Sequence, residues 1–252
     1  VKGTSFQQPY EFKLEVEGES WNQGEPLRGS LLIKNHGGAP AALSGVQVKL
    51  AYGGLKKVHA KSAEAFDDLA SAPLELSGEL GAGEERRVSW EFKTTRDTPI
   101  TDNVNSPFVL YGHGESAVTL APLQLNIQPD PLIQEVMNSL RIQFRFVPKA
   151  LKFRKKGVEG KFEPPTSQAF ASLDYVLVGF GFEGDVLELE YIFHMKKVEA
   201  TAVGGEVKKD LRKVKQSMRP DQYKVSSGRW NHEHIEATIS EALSQVETKL
   251  GF

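Results

Sequence analysis

The chain of 252 residues carries 31 Lys and Arg against 33 Asp and Glu, a formal net charge of −2, with 39% hydrophobic and 25% charged residues. That composition is globular, and the length suits one large domain or two ordinary ones able to bury their own cores. The absence of cysteine excludes disulfides, thiolate metal centres, iron–sulfur clusters and a cysteine nucleophile. No stretch is long and apolar enough to span a bilayer, so no transmembrane segment is expected and the cytoplasm is the default location.

Charge is unevenly spread. Residues 1–128 hold 12 basic and 16 acidic side chains, and residues 129–252 hold 19 and 17, so the halves carry −4 and +2. The excess is too small for a specific nucleic-acid binder. It does mark a change of character near residue 129.

The first half reads as strands. In YEFKLEVEGESW, Phe12, Leu14 and Val16 alternate with Glu11, Lys13, Glu15 and Glu17, the period of a strand with one buried face. PLRGSLLIKNHGG and LSGVQVKLAYGG follow, each ending in a glycine pair, and further strands are predicted at PLELSGEL, EERRVSWEFKT, SPFVLYG and SAVTLAPLQLNI. About seven strands with short turns argue for an antiparallel sandwich. Lys61–Ala72 has no sustained apolar stripe and reads as a long surface loop with a short helix at best.

At IQPDPLIQEVMNSL the texture changes. Pro129 and Pro131 break the strand, and Leu132, Ile133, Val136, Met137 and Leu140 then fall at helical spacing behind Asp130 as cap, a helix predicted over 129–141. Beyond it, Ile142, Phe144 and Phe146 alternate with Arg141, Gln143 and Arg145, which predicts a strand with a basic outer face. SQAFASLDYVLVG and DVLELEYIFHMKKVEATAV read as two more strands. EVKKDLRKVKQSM is open between helix and strand, since Val207, Leu211, Val214 and Met218 suit a helix face. A last helix is predicted over 232–250, where Ile235, Ile239, Leu243, Val246 and Leu250 form an apolar stripe, Asn231 is the cap, Glu233 and Lys249 sit at favourable ends and Gly251 lies just past it.

Gly179, Gly181 and Gly184 form G-x-G-x-x-G after the apolar run LDYVLV, with Glu199 about 20 residues on, the outline of a dinucleotide loop. Such a loop works by feeding a helix whose N-terminus faces the pyrophosphate. Here Leu187, Leu189, Tyr191 and Phe193 alternate with polar neighbours, and Glu183, Asp185 and Glu188 crowd acid where phosphate would lie. A hairpin with glycine punctuation is the better reading.

Catalytic and metal sets are not found either. Of six histidines only His232 and His234 are close, and a separation of two on a helix points them apart. His36 and His113 sit beside glycine in predicted turns, and Trp21 and Trp230 lie among polar residues in predicted loops. Glu188 and Glu190 share a strand face without a nucleophile or base tied to them. No catalytic, cofactor-binding or metal-ligating residue is assigned, no cofactor is expected, and the chain does not read as an enzyme.

Basic clusters are the remaining signal. Residues 141–160 and 206–219 are rich in Lys and Arg, and Arg154, Lys155, Lys156, Lys208, Lys209, Arg212 and Lys213 are the candidate contacts for a partner or anion. Gathered on one surface they would suit an acidic protein, a polyphosphate or an anionic lipid surface. Scattered, they are a solvated face that keeps the chain soluble.

PDPLIQEVMNSL followed by PPTSQAFASLDYVLVGFGFEGDVLELEYIF resembles the bacterial sporulation-control proteins of the arrestin-like clan. Pro165, Gln168 and Phe170 match their P-x-x-Q-x-F strand, and Gly184, Asp185, Leu187, Glu188 and, with one shift, Phe193 match the strand after it. WNQGEPLRGSLLIKN resembles the arrestin stretch in which a glycine turn leads into an outer strand. Past residue 193 the likeness weakens, since EVKKDLRKVKQSM is lysine-rich where the family carries acid and arginine; the resemblance nevertheless favours a strand there.

The resemblance implies a mainly β chain of two tandem arrestin-like, immunoglobulin-like sandwiches, residues 1–128 and 129–252, with an inter-domain helix and a C-terminal helix. It implies a non-catalytic adaptor or regulator of development, cell division or stress response, working through protein partners. The alternative is a membrane-surface or polyanion-binding module using the basic clusters of the second half.

Overall fold

The computed structural model describes residues 1–114, 116–154, 157–201, 204–226 and 228–247, and of residues 197–201 and 204–209 the backbone alone. It is mainly β, and the chain divides into two compact units, Val1–Gln128 and Pro129–Phe252.

The first unit runs β1 (Lys2–Gln7), β2 (Tyr10–Val16), β3 (Trp21–Asn22), β4 (Leu27–Asn35), β5 (Ala41–Ala42), β6 (Val46–Gly54), α1 (Leu55–His59), β7 (Phe66–Ser71), β8 (Glu79–Leu80), β9 (Glu85–Phe92), β10 (Asn105–His113), β11 (Ala121–Gln124) and β12 (Ile127–Gln128). Two antiparallel sheets result, in the orders β1-β2-β4-β9 and β11-β10-β6-β7. Alternation decides which side chains meet between them. Phe12, Leu14, Leu31, Ile33, Trp90 and Phe92 come from the first sheet, Val48, Leu50, Val109 and Tyr111 from the second, and all join one buried cluster. Each fully buried aliphatic or aromatic side chain there contributes about 1.5–3 kcal/mol. Strand β10 is buried on both faces, because its Phe108 and Leu110 pack with Ala51 and Leu120 in a second cluster lined by Leu55, Val58 and Phe66.

Two features of β2 and β4 matter for stability. Gly29 is paired with Val16 and Trp90, and a Cβ there would lie 1.9 Å from the Glu15 carbonyl oxygen and 2.6 Å from the Trp90 ring. Glu11 is 9% exposed although it sits on the polar side of β2. His36 Nε2 lies 2.7 Å from its Oε2 and Lys13 Nζ 3.0 Å from its Oε1. The His36 hydrogen bond first, and the Lys13 ammonium second, hold the Glu11 carboxyl below the usual carboxylate range.

The loop expected at Lys61–Ala72 contains β7, an edge strand whose residues are exposed apart from half-buried Phe66. With no buried face it has no alternation to read. The strand predicted at PLELSGEL shrinks to β8, which pairs only with β5. Strand β1, unforeseen, is another edge without an apolar side; its Phe6 is 71% exposed.

The second unit runs α2 (Pro131–Ile142), β13 (Val147–Arg154), β14 (Gly157–Glu163), a single 3₁₀ turn (Gln168–Phe170), β15 (Leu173–Glu183), β16 (Val186–Thr201), β17 (Gly204–Met218), α3 (Pro220–Tyr223) and α4 (His232–Ser244). Asp130 caps α2 by accepting from the Leu132 N–H at 2.8 Å, and Pro131 occupies the first turn, where its missing N–H costs nothing. Strands β13 to β17 pair in chain order, each antiparallel to the next. One face of this sheet carries Val158, Phe162, Val176, Val178, Phe180, Leu187, Leu189, Tyr191 and Phe193, all nearly inaccessible. Arg212 and Gln216, opposite Phe193 and Leu189, donate to the Gln245 carbonyl at 2.8 Å and the Glu241 carboxylate at 3.1 Å, so α4 lies over that face. Helix α4 in turn meets α2, where His232 Nδ1 lies 3.1 Å from Glu135 Oε1.

Where a second sandwich is expected, the described strands of this unit form one sheet, and the apolar stripes of α2 and α4 take the place of a second sheet. Further differences are local. The expected strand Ile142–Phe146 is a helix end and a turn, with Arg145 at φ +59° and Phe146 buried; its alternation is a coincidence of two structures. Pro165, Gln168 and Phe170 lie in a loop and 3₁₀ turn, and the strand starts at Leu173. EVKKDLRKVKQSM is strand β17. The C-terminal helix is capped by Asn231 and ends at Ser244; Lys249, Leu250 and Gly251 lie outside the described residues.

Two predictions follow from the first unit. Gly29→Ala forces a strand apart and is expected to lower stability by about 3 kcal/mol, read from the denaturant midpoint. Glu11 binds its proton less readily folded than unfolded, so its contribution is present above the usual carboxylate pKa of about 4.3 and fades as pH falls through the lower folded value. Glu11→Gln is therefore expected to be less stable than the parent at neutral pH and to lose less on acidification, a difference that thermal melts from pH 7 to pH 3 will show.

Candidate interaction surface

The three glycines resolve first. Glu183 pairs with Val186, which leaves Gly184 and Asp185 as a two-residue hairpin turn. Gly184 takes φ +59° and Asp185 does not share it, the pattern of a turn with glycine at its first central position. Gly179 and Gly181 lie within β15, opposite Glu190 and Glu188. Val186 continues as strand, so no helix terminus points at these glycines and no phosphate cradle exists here.

The glycines instead shape the face of the sheet that the helices leave open. Side chains alternate across the strands, and the outward rows read in register. Gly181 is beside Glu188 and, one strand further, Ser217; Gly179 is beside Glu159, Glu190 and, one strand further, Lys215; Leu177 is beside Lys161, Ile192 and, one strand further, Lys213; Tyr175 is beside His194 and, one strand further, Leu211. A Cβ on Gly181 would meet nothing within 4 Å. The result is a bare trough of about 640 Å³ lined by Arg154, Gly157, Gly179, Gly181, Glu188 and Lys215. Two residues along the same strand the surface turns apolar. Leu177 and Ile192 are half-buried, Leu211 is 53% exposed, and the Tyr175 and His194 rings stack at 4.0 Å with Lys161 Nζ 4.0 Å above Tyr175.

Of the predicted basic contacts, the three with described side chains, Arg154, Arg212 and Lys213, stand apart from one another. Arg154 ends β13 and lies 3.8 Å from Glu159. Lys213 projects from β17, four strands away, beside Ile192, and Arg212 faces the helix side, bonded to Gln245 and 3.9 Å from Asp210. Lys208 and Lys209 stand opposite Lys197 and Lys196 in the backbone register, their side chains outside the described set. Lys155 and Lys156 also lie outside the described residues. Three further cations are matched by acids: Lys149 with Glu163 at 2.9 Å, Lys196 with Asp174 at 2.7 Å and Lys215 with Glu190 at 3.5 Å. These acids come from neighbouring strands, so counting charges along the chain overstated the free cation.

The histidines and tryptophans are structural neighbours. His36 holds Glu11, and His113 stacks on Tyr10 while its Nε2 lies 2.9 Å from the Ser44 carbonyl. Trp21, 7% exposed, donates from Nε1 to the Glu17 carbonyl at 3.0 Å, and Trp230 pairs with Tyr223 under Lys224. Among the described residues no three His, Asp or Glu side chains are placed to hold a metal ion, and no helix is long and apolar enough to cross a membrane.

The hairpin makes opposite demands on its glycines. Gly184→Ala must place a side chain at positive φ and is expected to cost about 1 kcal/mol. Gly181→Ala enters open space on an ordinary strand and is expected to be neutral or to gain about 0.5 kcal/mol. Paired urea titrations decide it; equal losses at both positions would contradict the hairpin geometry.

No family model matches the chain, and no curated protein sequence matches it. Its fold is nevertheless similar to a solved structure, that of Spo0M, sporulation control protein, from Bacillus subtilis, with a TM-score of 0.59 at 16% sequence identity over 95% of this chain and 100% of that one. A DNA-bound alkylpurine DNA glycosylase AlkC from Pseudomonas fluorescens covers 48% of this chain and 30% of its own, with a TM-score of 0.32, too slight to define a fold. The fold of this chain is thus similar to that of Spo0M over nearly its whole length.

Proposed function

We propose that the chain is a non-catalytic, arrestin-like regulator of the bacterial cytoplasm that acts by holding other proteins, in the line of work that the name sporulation control protein describes for its fold neighbour. The observation that carries this reading is the likeness to that regulator over 95% of this chain and all of the other, so that both units take part. The surfaces supply a physical means. Strand β7 is an open edge with a free side for a partner strand, and beside it a pocket of about 300 Å³ is lined by Val58, Ala65, Phe66, Val118, Leu120 and Pro122. A partner strand laid on an edge gains main-chain hydrogen bonds, and a pocket for one of its side chains adds selectivity.

The geometry favours a protein partner over an anionic surface. Arg154, Lys149, Lys196 and Lys215 are already matched by carboxylates, and Arg212 faces the helices rather than the open sheet. A membrane-surface module would need those cations together and unmatched.

The test is affinity capture of the full chain from extracts of its source organism at near-physiological salt, followed by reconstitution with the purified protein it enriches. A stoichiometric complex that is weakened when Asp67 and Asp68 on β7, or Phe66 and Leu120 in the pocket, are substituted is the expected result. The reading fails if no protein is enriched while the chain binds anionic vesicles in a manner that collapses as salt rises.

A further inference from the structure

We infer that the apolar hollow beside Phe66, on the outer face of the sheet β11-β10-β6-β7, is a binding site for a small amphipathic carboxylate. The apolar body of the ligand, about eight carbons long, fills the hollow, and its anionic head meets Lys61. A ligand of this kind would claim the volume that a partner side chain would enter, and it binds the chain whether or not a partner strand lies on β7.

The hollow, of about 300 Å³, stands over the cluster of Ala51, Phe108, Leu110 and Leu120, away from the sandwich core. Its two walls are turns closed by their own backbone. In one, the Lys61 and Ser62 N–H groups donate to the Val58 and Lys57 carbonyls, both at 3.0 Å, and the Ala65 N–H donates to the Ser62 carbonyl at 3.1 Å. In the other, Thr119 donates to the Ser116 carbonyl from its N–H at 3.0 Å and from its hydroxyl at 2.7 Å. Phe66 is held edge-on to Phe108 with ring centres 5.4 Å apart. Gly53 permits that approach, since a Cβ there would lie 2.7 Å from the Ala65 carbonyl oxygen and 2.9 Å from the Phe66 ring. The site is therefore built before any ligand arrives, as small-molecule sites usually are.

Its chemistry has two parts. The lining side chains are apolar apart from Lys61 and Ser62. An apolar cavity of about 150 Å³ admits benzene, so this one has room for about twice as much, a chain of about eight carbons or a phenylalkyl group. Lys61 decides the head. It stands at φ +50°, where glycine or asparagine is the usual occupant, so the turn by itself does not call for lysine. Among the described residues no carboxylate pairs with it. Lys57 reaches the Glu64 carbonyl at 3.4 Å, Asp68 is bonded to Lys49 at 3.0 Å, and neither Glu64, Asp67 nor Asp68 lines the hollow. Lys56, Lys57 and Lys61 outnumber Glu64 in the wall from 55 to 66, and the facing wall, 116 to 122, carries no charge. An unmatched cation at the rim of an apolar hollow favours a ligand with an apolar body and one negative end.

Ligand-observed NMR titrations of the full chain with octanoate, 1-octanol and octylamine test the site. Octanoate is expected to saturate it with a Kd on the order of 0.1 to 1 mM. The exposed ion pair should favour octanoate over octanol by about threefold to fivefold, and octylamine should bind more weakly than either. Lys61→Gln, a surface change, should bring octanoate to the level of octanol and leave octanol as it was. Ala117→Phe fills the hollow from the loop and should abolish binding of all three, with thermal melts showing that both variants fold. No saturation by octanoate up to about 10 mM, equal affinity for octanoate and octanol, or unchanged octanoate binding in either variant overturns the proposal. These titrations contain no partner protein, so their outcome and that of the affinity capture are read independently.

Discussion

Every strand of an antiparallel sheet sends alternate side chains to opposite faces, and a face of Phe, Leu and Val in water must be covered by something. That constraint governs both units. In the first, the apolar face of β1-β2-β4-β9 is met by that of β11-β10-β6-β7, and Phe12, Ile33, Val48 and Val109 close a shared core. In the second, the face bearing Phe162, Val178, Tyr191 and Phe193 is met by the stripes of α2 and α4 instead. The same geometric rule thus yields a sandwich in one place and a helix-covered sheet in the other, according to what amphipathic material the chain supplies next.

Alternation also explains which residues were legible before the structure. Strands with one dry face, such as β2, β6 and β16, announce themselves in sequence, as do α2 and α4 through their stripes and their Asp130 and Asn231 caps. Strands β1 and β7 did not, because an edge strand with neither face buried has no pattern to show. The run Ile142 to Phe146 misled for the converse reason: a helix end followed by a turn at Arg145 placed apolar residues two apart without a strand. The basic clusters show that ion pairing is a property of register rather than of sequence distance. Glu190 is 25 residues from Lys215 and beside it in space, and Arg212 and Lys213, adjacent in sequence, face opposite sides of the sheet.

Of the residues that carry the family resemblance, Leu187 and Phe193 are buried in β16, which also holds Glu188, and Pro165, Gln168, Phe170, Gly184 and Asp185 are connections. Pro165 belongs to a loop, Gln168 opens the 3₁₀ turn, and Phe170 at its end packs edge-on against Phe146 with ring centres 5.4 Å apart. That contact joins the turn before β15 to the turn after α2, so the motif reads as the fastening of a helix-to-sheet corner. Gly184 and Asp185 do the same at the next corner, where the Asp185 carbonyl accepts from the Tyr223 hydroxyl at 2.8 Å. Corners demand particular residues at particular places, whereas a buried face asks only for apolar volume.

This division bears on what a fold likeness at 16% identity can carry. Core faces and corners are what two such chains need in common to share a topology. Outward rows are under no such demand: replacing Glu188, Lys213 or Leu211 alters nothing in either buried layer. On the proposed reading, partner choice falls to the open sheet face and the strand edges, where this chain sets glycines beside an apolar band and where, among the described residues, Glu188 and Lys213 make no ion pair. A fold shared with a sporulation-control protein fixes where such a face lies, and the side chains on it decide what it meets.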